Sequence, residues 1–239
     1  MNYFDEYTKK YDMSNPSINY KYYHSYRVQD NMILLAKNMN LPYKDIELAS
    51  TIGLLHDIGR FEQYKRFKSF NDFNLDHGDY ACKLIKENDI LKYFNIDKED
   101  YDVVLTAIRN HNKFSIETDL SKREILFSKM IRDADKLDIL YALGTEKLKE
   151  VVKEDDSEIS KNVREAFMNE EIIRKSPNET INDNLVTLFG FIYDINYNIT
   201  LDIIKTNKYY EKIYKRLKNK EKFKPYIDKV KKYINERID

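Results

Sequence analysis

The sequence predicts an all-α protein, a helical bundle with additional C-terminal helices. Glycine and proline together number only 9 of 239 residues, too few for the turns of a many-stranded sandwich or barrel or for a glycine-cradled nucleotide fold. Apolar residues recur at helical rather than strand spacing along almost the whole chain. The single cysteine, Cys82, excludes a disulfide framework and a multi-thiolate metal site.

The periodicity places helices at 3–12 and 17–39, the second reading NYKYYHSYRVQDNMILLAKNM with Tyr, Val, Ile and Leu on one side. A third helix at 44–58 carries Ala49, Ile52 and His56 on one stripe and stops at Gly59, which suits a left-handed position after the helix end. Residues 59–75, rich in Phe, Asn and Lys, read as a loop; Phe61, Tyr64, Phe67, Phe70 and Phe73 there either stack on a ligand base or pack. Helices follow at 76–93, opened by His77, and at 98–112, closed by His111.

The helix at 121–142 has the clearest start, Ser121 and Glu124, whose side chains can satisfy each other's backbone amides. Gly144 reads as its left-handed stop. Further helices are expected at 145–154, 158–174, 184–205, 207–219 and 222–237, with Ser176–Asn184 as a break. The expected organisation is a helical domain over 1–144 and a C-terminal helical extension over 145–239 that packs on it, alternatively one single domain.

Charge excludes some partners. Lys+Arg and Asp+Glu balance at 41 each, so the whole chain offers no polyelectrolyte argument for nucleic acid or an anionic membrane. The stretch from Lys205 onward is basic, with interleaved Tyr209, Tyr210, Tyr214, Tyr226 and Tyr233. It reads as a solvated helix face with snorkelling lysines rather than a nucleic-acid track. No membrane segment or signal region is visible: Leu185 to Tyr193 is too short to span and Asp194 ends it. The expected compartment is the cytoplasm. Oligomeric state is not legible.

Chemistry concentrates in a few segments. LLHDIGRFEQY places His56 and Asp57 at a helix end, an imidazole nitrogen and a carboxylate oxygen offered to one point. Such a mix suits Mn²⁺, Fe²⁺, Co²⁺ or Ni²⁺. RDADKLDIL sets Asp133 and Asp135 on opposite edges of a stripe formed by Met130, Ala134, Leu137 and Tyr141, with Asp138 within it. Three carboxylates along an apolar helix are costly unless a cation neutralises them; surface pairs with Arg132 and Lys136 are the bland alternative. His24 alone would be an ordinary core histidine, His77 an exposed helix start, and His111 a cation at a helix C-terminus. All four histidines of the chain nevertheless fall ahead of the Asp-rich helix.

The order His24, His56-Asp57, Asp135, with HSYRV, LLHDIGR and RDADKLD around them, resembles the signature of the HD-domain superfamily of metal-dependent phosphohydrolases, closest to its small stand-alone bacterial hydrolases. The resemblance covers residues 20 to 142. It implies that His24, His56, Asp57 and Asp135 ligate a divalent ion (Mn, Fe, Co, Ni, Mg or Zn), Asp135 being chosen over Asp133 by the family's Ala-Asp-Lys/Arg-Leu pattern. One or two ions per chain are compatible with it: His77 and His111 hold a second ion or contact substrate phosphate.

The implied activity is hydrolysis of a phosphoester of a nucleotide or related small phosphorylated metabolite by metal-bound hydroxide, with Asp57 orienting the water. Arg60 and Lys136 are candidates to neutralise phosphate charge, and Arg27 is a further substrate-binding candidate. Two other readings stand beside it: a di-iron, oxygen-dependent member of the superfamily, and a non-enzymatic metal-containing sensor or interaction module.

Overall fold

Asn15 opens the longest N-terminal helix by accepting hydrogen bonds from the Ser17 and Ile18 amides (3.0 and 3.4 Å), with Pro16 in the first turn where its missing N–H costs nothing. The computed structural model in which this is seen describes residues 3–145, 154–174, 176 and 179–238. Among them every regular element is helical and no strand occurs, as the glycine-poor, helix-periodic sequence predicts. The chain divides into two compact units, Met1–Asp135 and Lys136–Asp239.

The first unit holds α1 (Tyr3–Thr8), α2 (Pro16–Asn38), α3 (Tyr43–Leu55), α4 (Ile58–Phe67), α5 (His77–Glu87), α6 (Tyr101–Asn110) and the larger part of α7 (Lys122–Gly144). The helix α2 packs along α3, α3 meets α6, and α5 lies between α4 and α6. Val28, Met32, Leu35, Leu48, Ile52, Val104, Ile108, Phe127 and Ile131 fill the space between them, all fully buried. The Ser121–Glu124 cap of α7 forms as the sequence indicates: the Ser121 amide donates to the Glu124 carboxylate (2.8 Å) and the Glu124 amide to Ser121 Oγ (3.2 Å).

Two differences from the sequence reading matter for the site. The stretch expected as loop at 59–75 begins with α4, and α3 ends at Leu55 instead of residue 58. Gly59 is therefore inside a helix and has no left-handed backbone. Its role is close approach: a Cβ at Gly59 would run into the His77 carbonyl oxygen and stand 3.0 Å from the Ala81 amide nitrogen, so the missing side chain lets α4 touch α5. Gly144, the other expected left-handed stop, is the last residue of α7 and likewise has no positive φ. Among the described residues the left-handed positions instead carry Asn40, Lys68, Asp89, Asp119, Glu170 and Lys208.

The second unit comprises the end of α7, α8 (Lys161–Met168), α9 (Ile181–Phe189), α10 (Asn198–Asn207), α11 (Tyr209–Arg216) and α12 (Lys220–Ile238). Its core runs from Leu137, Leu140 and Leu143 through Phe167, Phe189 and Tyr210 to Phe223, Val230 and Ile234. The helix expected at 145–154 falls on residues 146–153, outside the described ones. The single helix expected at 184–205 is two: α9 tightens into a 3₁₀ turn at Gly190–Asp194 before α10 starts at Asn198. In that turn Ile192 and Tyr193 are buried, so an apolar run that looks continuous in sequence bends to serve two packing directions. Arg216 donates to the carbonyls of Leu143 and Thr145, capping the C-terminus of α7.

No helix of the described residues is long and apolar enough to cross a membrane.

Candidate metal centre

His56 and Asp57 lie in the break between α3 and α4, Asp57 with φ −103° and ψ 14°. The break turns the carboxylate inward where a continuing helix would have carried it away. His24 reaches the same point from the middle of α2, His77 from the first residue of α5 and His111 from the C-terminal cap of α6. Asp135 comes from α7, whose Ala134 carbonyl accepts a hydrogen bond from Asn31 of α2 at 3.0 Å. All four histidines and Asp57 are buried, and 19% of the Asp135 side chain is exposed.

Asp57 organises the cluster with its two oxygens. Its Oδ2 stands 3.3 Å from His24 Nε2 and 3.5 Å from His56 Nε2. Its Oδ1 stands 3.2 Å from His77 Nε2 and 3.6 Å from His111 Nε2. Asp135 Oδ1 faces the first pair, 3.1 Å from His24 Nε2 and 3.8 Å from His56 Nε2. Two sets of donors thus share one carboxylate. His24, His56 and Asp135 form a group whose donor atoms lie within 4.8 Å of one another, and so do His56, Asp57 and His111.

The protonation pattern shows what these atoms can bind. His56 Nδ1 is 2.7 Å from the Gly53 carbonyl oxygen and His111 Nδ1 is 2.6 Å from that of Ile108. A carbonyl cannot donate, so each Nδ1 carries the hydrogen and each neutral ring turns an Nε2 lone pair into the centre. Burial lowers the pKa of His56 to about 3, against the pull of Asp57, and burial likewise lowers that of His111. Burial pushes the Asp57 carboxyl up, but the Lys21 ammonium and His56 outweigh it and hold it well below the usual range. For Asp135, burial is likewise outweighed by its hydrogen bond to His24.

Nε2 atoms also face one another, His77 to His111 at 2.8 Å and His56 to His24 at 3.3 Å. Imidazole with carboxylate is a donor set that divalent transition ions accept. The residues therefore fit a metal centre.

The remaining candidates from the sequence are placed differently. Arg60 approaches Asp57 Oδ1 with Nε at 3.5 Å, while its Nη1 donates to Gln63 Oε1 (2.8 Å), the Phe70 carbonyl (2.7 Å) and Asp72 Oδ1 (2.9 Å). The Arg27 guanidinium lies over the Tyr20 ring, 5.6 Å from its centroid. Lys136 is paired with Asp194 at 2.6 Å. Of the aromatic side chains after Gly59, Phe61 is fully buried against Phe4, Tyr7 and Tyr11, Tyr64 and Phe70 contact each other at 5.0 Å, and Phe67 and Phe73 are exposed.

Three residues escaped the sequence reading. Lys21, one turn before His24, places Nζ 2.5 Å from Asp57 Oδ2. Asp72 accepts from His77 Nδ1 at 2.6 Å. Arg132, which the sequence suggested only as a surface partner in the bland alternative to a cation, is buried and donates to the Asn110, Lys113 and Phe114 carbonyls, closing the end of α6 that presents His111. The i−3 spacing of Lys21 from His24 is a signal a helical projection carries; Asp72 and Arg132 have none.

Residues 22–140 match the HD domain family. No curated protein and no solved structure matches the chain.

Proposed function

The chain belongs to the HD-domain superfamily through residues 22–140, and from that premise we propose that it is a metal-dependent phosphohydrolase acting on a nucleotide or a related small phosphorylated metabolite. The observation that carries this reading is the two-sided use of Asp57, with His24 and His56 on Oδ2 and His77 and His111 on Oδ1. In it His24, His56, Asp57 and Asp135 would hold one divalent ion, and His77 and His111 would hold a second with Asp57 or contact the substrate phosphate. A bound divalent ion supplies Lewis acidity toward a phosphoryl oxygen and brings the pKa of water toward neutrality.

The chain's own residues do the rest. The neutral rings of His56 and His111 supply lone pairs without first losing a proton, because burial keeps them unprotonated. Asp57, ionised throughout the physiological range, would orient the attacking water through a carboxylate lone pair not used in holding an ion. Lys21 and Arg60 lie on either side of Asp57 and give an anionic phosphate a favourable field. Arg27, over the Tyr20 ring, remains a substrate-binding candidate, and Lys136, paired with Asp194, a phosphate-neutralising one.

The test is phosphate release from a panel of phosphorylated metabolites with Mn²⁺, Fe²⁺, Co²⁺, Ni²⁺, Mg²⁺ or Zn²⁺, with Asp57→Asn as control. Asp57→Asn is expected to lower turnover more than ~100-fold, beyond the 10–100-fold typical of groups that only support a ligand. Turnover that survives Asp57→Asn, or no release with any ion, overturns the proposal. The approach of His77 and His111 to Asp57 Oδ1 also favours a second reading, di-iron oxygen-dependent cleavage. Oxygen consumption by the iron-loaded protein, with no phosphate released anaerobically, would select it.

A further inference from the structure

The turn between α4 and α5 is held from below by two side chains of α4. Gln63 is fully buried, and its amide nitrogen donates to the Leu75 carbonyl (2.7 Å), the Asn71 carbonyl (3.3 Å) and Asp72 Oδ1 (3.1 Å). Arg60 Nη1 donates to the Phe70 carbonyl, to Gln63 Oε1 and to the same Asp72 Oδ1. The turn is therefore fixed although its outer residues, Asn71 to Asn74, are exposed. Its one inward product is a carboxylate oxygen 2.6 Å from His77 Nδ1.

That contact decides what the other side of the ring can do. With Asp72 ionised, the hydrogen of the neutral imidazole belongs on Nδ1, and Nε2 turns a lone pair toward Asp57 Oδ1 and His111 Nε2. In the other tautomer Nε2 would point a hydrogen at the place an ion must occupy. The competing neighbour of Nδ1, Asn112 Nδ2, is farther away at 3.3 Å and has Asp76 Oδ1 as its own acceptor at 3.1 Å. His56 and His111 obtain the same Nδ1–H form from helix carbonyls. His77 opens its helix, with no preceding turn to supply such a carbonyl, and takes its acceptor from the loop.

We propose that Asp72 is the positioning residue of the second ion position: it fixes His77 as the Nδ1–H tautomer and aims Nε2 at the ion, while Arg60 and Gln63 hold Asp72 in place. The inference rests on the metal-centre reading above and deepens it. It also gives Arg60 a structural role in the turn through Nη1, beside the approach of its Nε to Asp57.

Co²⁺ titration of the full chain, followed by calorimetry and visible absorption, tests it at constant pH. The wild-type protein is expected to show two classes of site. Asp72→Ala is expected to weaken only the weaker class, by ~10–100-fold, as removal of a partner behind a ligating histidine does elsewhere. Asp72→Asn, whose amide oxygen still accepts from Nδ1, is expected to recover part of that loss. In the metal-free protein, ¹⁵N chemical shifts of His77 report the tautomer directly, Nδ1–H in wild type and a mixture in Asp72→Ala. Two Co²⁺ ions bound with unchanged affinity in Asp72→Ala, or equal weakening of both classes, overturns the role of Asp72. A wild-type chain that binds no Co²⁺ overturns the metal-centre reading itself.

Discussion

Lys21 Nζ lies 2.5 Å from Asp57 Oδ2, the same oxygen that faces His24 and His56. Both groups are largely withdrawn from water, with 13% and 2% of their side chains exposed, and the ammonium also lies 5.6 Å from the centre of the Phe70 ring. The lysine occupies the ground that a cation shared by His24 and His56 would claim. It neutralises a buried carboxylate when no ion is there and opposes an ion that arrives.

Lys21→Met therefore acts in opposite directions on two observables. The metal-free protein is expected to lose up to ~3 kcal/mol, the low end for stripping one partner from a buried pair, because His24 and His56 remain beside Asp57. Affinity for the first Co²⁺ is expected to rise about tenfold, since a like charge has been removed from a site of reduced dielectric. Thermal melts in EDTA and a Co²⁺ titration read the two effects. Unchanged affinity would separate Lys21 from the ion site.

Gly59 and Gly144 look alike in sequence, each ending an apolar run, and should respond differently to alanine. Gly59→Ala drives a methyl group into the His77 backbone and is expected to cost ~1–3 kcal/mol. It should also weaken the second Co²⁺ site by shifting His77. Gly144→Ala meets only the Lys212 side chain at 3.3 Å and the Tyr209 carbonyl at 3.5 Å, and neither glycine has a left-handed backbone. It is expected to leave stability within ~0.5 kcal/mol of wild type. Chemical denaturation of the two variants checks the contrast, and similar losses would refute the close-approach role of Gly59.

In the second unit, Asp183 joins α8 to α9. Its carboxylate accepts from the Ser160 amide (2.7 Å), Ser160 Oγ (2.6 Å) and the Thr180 amide (3.0 Å), while its own amide donates to Thr180 Oγ1 (3.0 Å). Burial pushes its pKa up, but the hydrogen bonds from Ser160 and Thr180 outweigh it and leave the pKa below the ordinary value. A carboxyl whose folded pKa is depressed stabilises above its unfolded pKa and loses that contribution as pH falls through the folded value. Asp183→Asn is thus expected to cost ~1–2 kcal/mol at pH 7. The gap to wild type should narrow below about pH 4, where the unfolded carboxyl begins to protonate. Urea denaturation at pH 7 and pH 3 measures it, and a gap of equal size at both would rule the mechanism out.

What was legible in the chain was whatever carries a local signal. His24, His56-Asp57 and Asp135 stand in short segments whose wording marks them, and the Ser121–Glu124 cap needs only four residues to be recognised. The helices α2 and α7 follow from their periodicity almost to the residue. The helix α4 was hidden because Gly59 signals a stop in sequence and serves here as the contact between two helices, a fact that exists only once α5 is beside it. Asp72 looks like one more acidic residue of the NDFNLD segment until His77 folds back against it. Arg132 resembled a surface partner because its acceptors, the carbonyls at the end of α6, lie about twenty positions away in the chain.

Among the described residues the left-handed turns carry side chains at Asn40, Lys68, Asp89, Asp119, Glu170 and Lys208, and none of them is glycine. Asn and Asp tolerate that conformation, but a lysine or glutamate held there gives up roughly 1–2 kcal/mol of backbone energy. Lys68, Glu170 and Lys208 together then amount to a few kcal/mol, set against a net folding free energy that for an ordinary domain is only about 5–15 kcal/mol. These three turns are therefore a reserve from which a hardier variant could be made, by glycine substitution, without touching the histidine centre.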